Sequence, residues 1–146
     1  MRLLLLLGRK SGYYTFKKLL SAGKDIIGVF SEDYERLNNE GYTSNDFKAL
    51  CEKHGIPFFK TDKINSESIL KKARKLNPDI GISSGWRRIV NDPFLSIPKN
   101  GFFNIHMSDL PKYRGFASTS WAILNGDEKC GVTCHKMISG VADDGD

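Results

Sequence analysis

Asn104 and His106 stand two positions apart in residues 101–106, a short apolar stretch that reads as a strand. Alternate residues of a strand share a face, so an amide and an imidazole point to the same side of the sheet near the strand's carboxyl end. A histidine titrates close to neutrality and can move protons there, whereas an amide donates hydrogen bonds without ionising. As a pair they fit either a reactive centre or a mutually satisfied core contact. Gly8-Arg9-Lys10-Ser11-Gly12 follows an apolar run, and its backbone N–H groups and two cations can hold an anion. It matches neither the dinucleotide fingerprint nor the P-loop, and a plain tight turn explains it equally well. Cys130, Cys134 and His135 bring soft metal ligands close together, but no second pair follows at zinc-site spacing. On a strand the two cysteines share one face and His135 takes the other, so all three read as packing residues and no metal is expected.

These groups need elements to carry them. Residues 3–7, 26–30, 57–59 and 80–83 read as short buried strands, and they alternate with 13–22, 45–53 and 66–76, which read as helices. In the last of these, Ile69, Leu70, Ala73 and Leu76 recur at helical spacing, with basic residues on the other faces and Pro78 as the stop. After the strand at 101–106, residues 118–124 fit a helix stopped by Asn125-Gly126, and 131–137 read as one more strand. Strands and helices taking turns predict an α/β fold with an open, doubly wound, mostly parallel Rossmann-like sheet. Such sheets bind ligands beyond the carboxyl ends of their strands, where strand order reverses. The loops after Leu7, Ser83 and His106 are therefore the ones to watch.

The chain has 146 residues, the size of one domain with one core, so a single domain over residues 1–146 is expected. Its 40% hydrophobic and 27% charged residues exclude a disordered or fibrous class. The run Leu3 to Leu7 meets Gly8, Arg9 and Lys10, too short for a signal peptide and far below the roughly 20 residues of a membrane helix. Three cysteines, an odd set, suit a reducing compartment, and a cytoplasmic location without membrane attachment follows as the default. The formal charge of +5 favours an anionic partner without naming it. Much of that charge, in Lys71, Lys72, Arg74 and Lys75, sits on a helix face expected to be solvated.

From Asn104 onward the sequence carries several blocks in succession. Asn104-Ile105-His106 leads through Ser108-Asp109-Leu110-Pro111-Lys112-Tyr113-Arg114-Gly115 into Trp121-Ala122-Ile123-Leu124-Asn125-Gly126. Gly131-Val132-Thr133-Cys134-His135-Lys136-Met137 and Asp143-Asp144-Gly145-Asp146 follow. This series closely resembles the signature NxHxSxLPxYRG, WAIxxG, GVTxHxM and DxGD of the 10-formyltetrahydrofolate-dependent formyltransferases. The likeness is strong over residues 101–146 and consistent in element order over the rest. It implies the formyltransferase fold, 10-formyltetrahydrofolate as co-substrate without a metal, and Asn104, His106 and Asp143 as the catalytic residues. In the family the aspartate falls seven residues after the histidine of GVTxH, whereas here that place is Ala142 and Asp143 is one further on. Asp143 still precedes x-Gly-Asp and is preferred to Asp144, with a one-residue bulge reconciling the spacing. The same resemblance assigns Ser84, Gly85, Trp86, Arg87, Arg88 and Ile89 to the loop that receives the pterin ring, with Gly140 and Val141 closing the other side. A Trp86 that packs under the loop remains the alternative.

For the amine acceptor, Arg9, Lys10, Ser108, Lys112, Tyr113, Arg114 and Gly115 are the expected binding residues. Residues 112–117 and 121–126 look most like enzymes that formylate amino sugars on nucleotides. Glu32, Asp33, Glu35, Glu40 and Asp46 make the segment after the second strand acidic, which would repel tRNA, so nucleic acid is not the expected partner. Methionyl-tRNA and glycinamide ribonucleotide are the other acceptors the resemblance allows, and an inactive or binding-only fragment is a separate class. The family continues past the DxGD block, so the expectation is a fold lacking its last elements, with a homodimer built through carboxyl-terminal parts.

Overall fold

A computed structural model describes residues 1–32 and 42–140. Six strands form one sheet: β1 (Arg2–Leu7), β2 (Asp25–Ser31), β3 (Phe58–Lys60), β4 (Ile80–Ser84), β5 (Phe102–His106) and β6 (Thr133–Lys136). They lie in the order β3-β2-β1-β4-β5-β6. All neighbours are parallel except β6, which runs antiparallel to β5 at the edge. The chain winds outward from β1 through β2 to β3, then returns to the other side of β1 for β4 and β5, so strand order reverses between β1 and β4. Helices α1 (Arg9–Ser21), α2 (Ser44–Lys53), α3 (Glu67–Leu76), α4 (Asp92–Leu95) and α5 (Ser118–Leu124) make the connections. The α/β, doubly wound, mostly parallel architecture is the expected one. No described helix is long and apolar enough to cross a membrane.

Two apolar layers flank the sheet instead of a single core, and β1 supplies both. Leu3, Leu5 and Leu7 pack with Phe16, Val29, Phe47 and Cys51 on the side of α1 and α2. Leu4 and Leu6 pack with Phe30, Ile69, Leu70, Phe94 and Phe102 on the side of α3 and α4. Strands buried on both faces read as continuous apolar runs, which is why the leucine series shows no alternation. Rings interlock in the second layer, Phe30 stacking on Phe59 at 4.7 Å and meeting Phe94 edge-on at 5.5 Å. The ends of β1 are held by polar contacts: the Arg2 N–H donates to Asp79 Oδ2 at 2.8 Å, and the Gly8 N–H donates to the Ser84 carbonyl at 3.0 Å.

Several boundaries differ from the sequence reading, each for a visible reason. Helix α1 starts at Arg9, so Gly8 to Gly12 is no loop; the Gly12 N–H already donates to the Gly8 carbonyl at 3.0 Å. Gly12 is there for space, since a Cβ on it would lie 2.6 Å from the Ser84 carbonyl oxygen. The single turn α4 was not anticipated; Asn91 precedes it and Pro93 sits in its first turn. Strand β6 is shorter than residues 131–137 and excludes Cys130. Cys130 and Cys134 are exposed, so neither packs in a core, whereas His135 is buried.

Two measurements test this packing. Leu5→Ala, at a fully buried position, is expected to cost about 2–5 kcal/mol, lowering the urea midpoint at unchanged slope. Burial pushes the Cys51 thiol up to about 12, with the nearby Glu52 charge adding to the effect. Thiol titration of the folded protein at about pH 8 should find Cys130 and Cys134 reactive and Cys51 reactive only after unfolding. A Cys51 that reacts as fast as the others would contradict its placement. Folded Cys51 keeps its proton above 9.0, where an unperturbed thiol loses it. Its contribution to stability is therefore complete below that pH and declines as pH rises toward 12.

Candidate active site

A cleft of about 970 Å³ opens over the carboxyl ends of β1, β4 and β5, at the reversal of strand order. Arg9, Lys10 and Ser11 from the start of α1 form one wall, Ser84 at the end of β4 and residues 85–90 after it a second, and Gly115 to Ser120 a third. Asn104, His106 and His135 lie between them on the floor.

Strand pairing explains that floor. Asn104 has Ser83 of β4 as its register partner on one side and His135 of β6 on the other. Asn104 Nδ2 lies 3.3 Å from His135 Nε2, and His135 Nδ1 lies 3.1 Å from the Lys136 carbonyl oxygen. A carbonyl only accepts, so Nδ1 carries the proton; Nε2 is then the acceptor, and Asn104 donates to it. This cross-strand bond turns the Asn104 amide one way round. His106 ends β5, and its Nε2 donates to the Tyr113 carbonyl at 3.2 Å. The expected common face of Asn104 and His106 is present, and His135, expected only to pack, joins them. Its partner Asn104 lies 31 positions away in the chain, and nothing local to β6 marks His135 as part of the floor.

The wall after β4 is fastened from beneath. The strand ends at Ser84, and Gly85 turns with φ +68° where a Cβ would lie 2.1 Å from the Gly8 carbonyl oxygen. Trp86 packs against the layer that holds Phe94, and its Nε1 is buried without a hydrogen-bond partner among the described residues. The backbone N–H groups of Arg87 and Arg88 both donate to Glu32 Oε1, at 3.1 and 3.0 Å. At the far end, Asn65 Nδ2 donates to the Ile89 carbonyl at 3.0 Å, and Asn65 Oδ1 accepts from the Asn91 N–H at 2.9 Å. Sequence reasoning missed Glu32 and Asn65 as parts of this loop's support. Glu32 and Asp46, expected to repel polyanions, are both engaged internally. Glu32 is buried under the loop, and Asp46 reaches back to the Thr43 N–H at 2.6 Å to cap α2. Asp33, Glu35 and Glu40 lie outside the described residues.

Of the expected site residues, Asn104, His106, Ser84, Gly85, Trp86, Arg87, Arg88, Ile89, Arg9, Lys10 and Gly115 all line the cleft. Ser108, Lys112, Tyr113 and Arg114 are not among its lining residues. Ser108 is fully buried, and its carbonyl accepts from Thr133 Oγ1 at 2.8 Å. Lys112 pairs with Asp127 at 2.7 Å, a contact that raises the lysine's pKa and holds the aspartate below the usual carboxylate range. Tyr113 accepts at its hydroxyl from Asn125 Nδ2 at 3.1 Å. These contacts brace the turn after β5. Gly140 does not line the cleft, and Val141, Asp143 and Asp144 lie outside the described residues. Among the described residues, no group of three metal-ligating side chains forms.

Several known proteins are similar to this chain in sequence or fold. Methionyl-tRNA formyltransferase of Geobacter metallireducens is 33% identical over 133 residues, covering 90% of this chain and 42% of its own length. That of Thermotoga maritima is 36% identical over 121 residues, covering 82% of this chain and 39% of its own length. The chain thus spans 39–42% of the length of these relatives. Two crystal structures of phosphoribosylglycinamide formyltransferase share the fold over 99% of this chain with a TM-score of 0.77. That of Bacillus halodurans does so at 18% identity over 75% of its own length, and that of Anaplasma phagocytophilum at 24% over 68%. A formyltetrahydrofolate deformylase from Pseudomonas syringae matches with a TM-score of 0.68 at 22% identity, over 93% of this chain and 45% of its own. The profile of the family described as Formyl transferase matches residues 17–146, and the chain belongs to that family.

Proposed function

We propose that this chain moves a formyl group from 10-formyltetrahydrofolate to a primary amine. The observation that carries the reading is the placement of Asn104 and His106 on one face at the carboxyl end of β5, inside a cleft walled by the loop after β4. A cleft of about 970 Å³ is at the upper end of the usual range for small-molecule sites, enough for a folate head and an acceptor together. With the Arg87 and Arg88 N–H groups turned to Glu32, the carbonyls of Trp86 and Arg87 suit the donors of a pterin edge.

Attack of the amine nitrogen on the formyl carbon forms the new C–N bond and puts a negative charge on the formyl oxygen. Donors already aimed at that oxygen contribute much of such a rate enhancement. The Asn104 amide and the His106 imidazole are the donors in this reading. Asp143, by its place before x-Gly-Asp, is the group assigned to keep His106 protonated or to take the amine proton through a water. The bond from the formyl carbon to folate N10 then breaks, and N10 receives a proton. His135 serves by holding the Asn104 amide in one orientation.

For the acceptor, the reading is an amino group on a nucleotide-linked sugar. The likeness of residues 112–117 and 121–126 to amino-sugar enzymes supports it, as do Arg9, Lys10 and Lys18 along the cleft wall, a match for a diphosphate. Methionyl-tRNA is the second reading, favoured by the names of the sequence relatives. Full-length protein incubated with 10-formyltetrahydrofolate and each acceptor separately decides between them. Formylated sugar nucleotide is the expected product. Transfer to methionyl-tRNA alone overturns the acceptor, and transfer to none overturns the reaction.

Two variants test the floor of the cleft in the same assay. Asn104→Ala is expected to lower kcat by about 10²- to 10³-fold, as loss of one oxyanion donor does elsewhere. His135→Leu should lower kcat by about tenfold, the worth of one hydrogen bond of roughly 1–1.5 kcal/mol. His135→Gln, which can still accept from Asn104, should recover most of that loss. Equal rates for the leucine and glutamine variants would remove His135 from the account.

A further inference from the structure

Glu32 is a buried carboxylate that does not line the cleft, yet it holds the backbone of a loop that does. Its side chain is only 5% exposed, and a charge taken out of water needs strong compensation from hydrogen bonds and partners. It has them: one carboxylate oxygen accepts from the N–H groups of Arg87 and Arg88 at 3.1 and 3.0 Å, and Arg88 Nε stands 3.9 Å from the same oxygen. Arg88 is in turn anchored by Asp62 at 3.0 Å. These loop amides lie beyond the end of β4, where no ladder fixes them. Each N–H in a trans peptide lies opposite the carbonyl of the preceding residue. Two N–H groups turned inward to Glu32 therefore turn the carbonyls of Trp86 and Arg87 the other way, and both residues line the cleft.

We propose that Glu32 is a positioning residue that sets the order in which the loop after β4 presents backbone acceptors to the donor's heterocycle, a role that rests on the folate reading above. Glu32 acts through the loop and touches no reacting atom. A carboxylate is suited to the task because it only accepts, and one oxygen can receive both amides. The contact joins residues more than fifty positions apart, from the end of β2 to the turn after β4, and so ties the cleft wall to the sheet rather than to its own loop.

The test uses full-length protein carrying Glu32→Gln, Glu32→Asp or Glu32→Leu. Binding of 5-formyltetrahydrofolate, a folate with the same pterin region, is followed by Trp86 fluorescence, and hydrogen exchange is read at the Arg87 and Arg88 amides. Glutamine keeps an oxygen in place, so its folate Kd should stay within about threefold of wild type, with both amides protected. Aspartate withdraws the carboxylate by one methylene, and leucine removes the acceptor. Both should speed exchange at Arg87 and Arg88 and raise the folate Kd about tenfold or more, while the KM for the acceptor stays put. Should the leucine variant fail to fold, the aspartate variant carries the comparison. Slow exchange at both amides in the aspartate variant overturns the proposal, as does wild-type folate affinity despite fast exchange, or an equal loss for acceptor and folate. A wild-type protein that binds no folate defeats the folate reading instead, and the exchange data then still decide whether Glu32 holds the loop.

Discussion

Where β1 and β4 end side by side, backbone meets backbone with no side chain between them. The Gly8 N–H donates to the Ser84 carbonyl, Gly12 leaves room for that same carbonyl, and Gly85 turns against the Gly8 carbonyl. Any Cβ at Gly12 or Gly85 would collide with main-chain atoms, which cannot swing aside as a side chain can. This close approach lies where strand order reverses, so it fixes the two walls of the cleft relative to each other. The start of α1, the loop after β4 and the floor on β5 all take their positions from it.

Period-two geometry made much of the floor legible in the sequence. Asn104 and His106 needed only a strand to share a face, and the alternation of apolar runs with amphipathic stretches supplied the sheet around them. Less was visible where no period applies. Ser108, Lys112, Tyr113 and Arg114 belong to the turn after β5, and nothing in a motif says which way the side chains of a turn point. Here Lys112 pairs with Asp127, the Tyr113 hydroxyl accepts from Asn125, and the Ser108 carbonyl accepts from Thr133. Gly8 to Gly12 misled in another way, because two glycines flanking polar residues look like a loop. One of them is a helix residue kept small by its neighbour across the sheet.

Glu32 and His135 were illegible for a shared reason. Their partners are distant in sequence, and the local context argues for something blander. An acidic residue at the head of an acidic segment reads as solvated, and a histidine behind a cysteine reads as packing. Both gain their roles from contacts that exist only once the sheet is assembled: Glu32 with Arg87 and Arg88, His135 with Asn104. A cleft at the ends of parallel strands gathers such contacts because each strand arrives there from a different stretch of chain. Its walls are local in space and scattered along the sequence.

The five leucines of β1 carry a consequence for how the central strand finds its place. Sliding a strand by one residue normally exchanges its two faces and exposes the wrong side chains. In β1 the same slip replaces leucine by leucine in both layers over most of its length, so the oily interior is a poor judge of alignment. Alignment must be read at the ends instead. There Arg2 finds Asp79, and Gly8, which alone in the run has no bulk, fits beside Ser84. Polar and glycine residues at the rim thus act as the ruler for a strand whose middle has no markings.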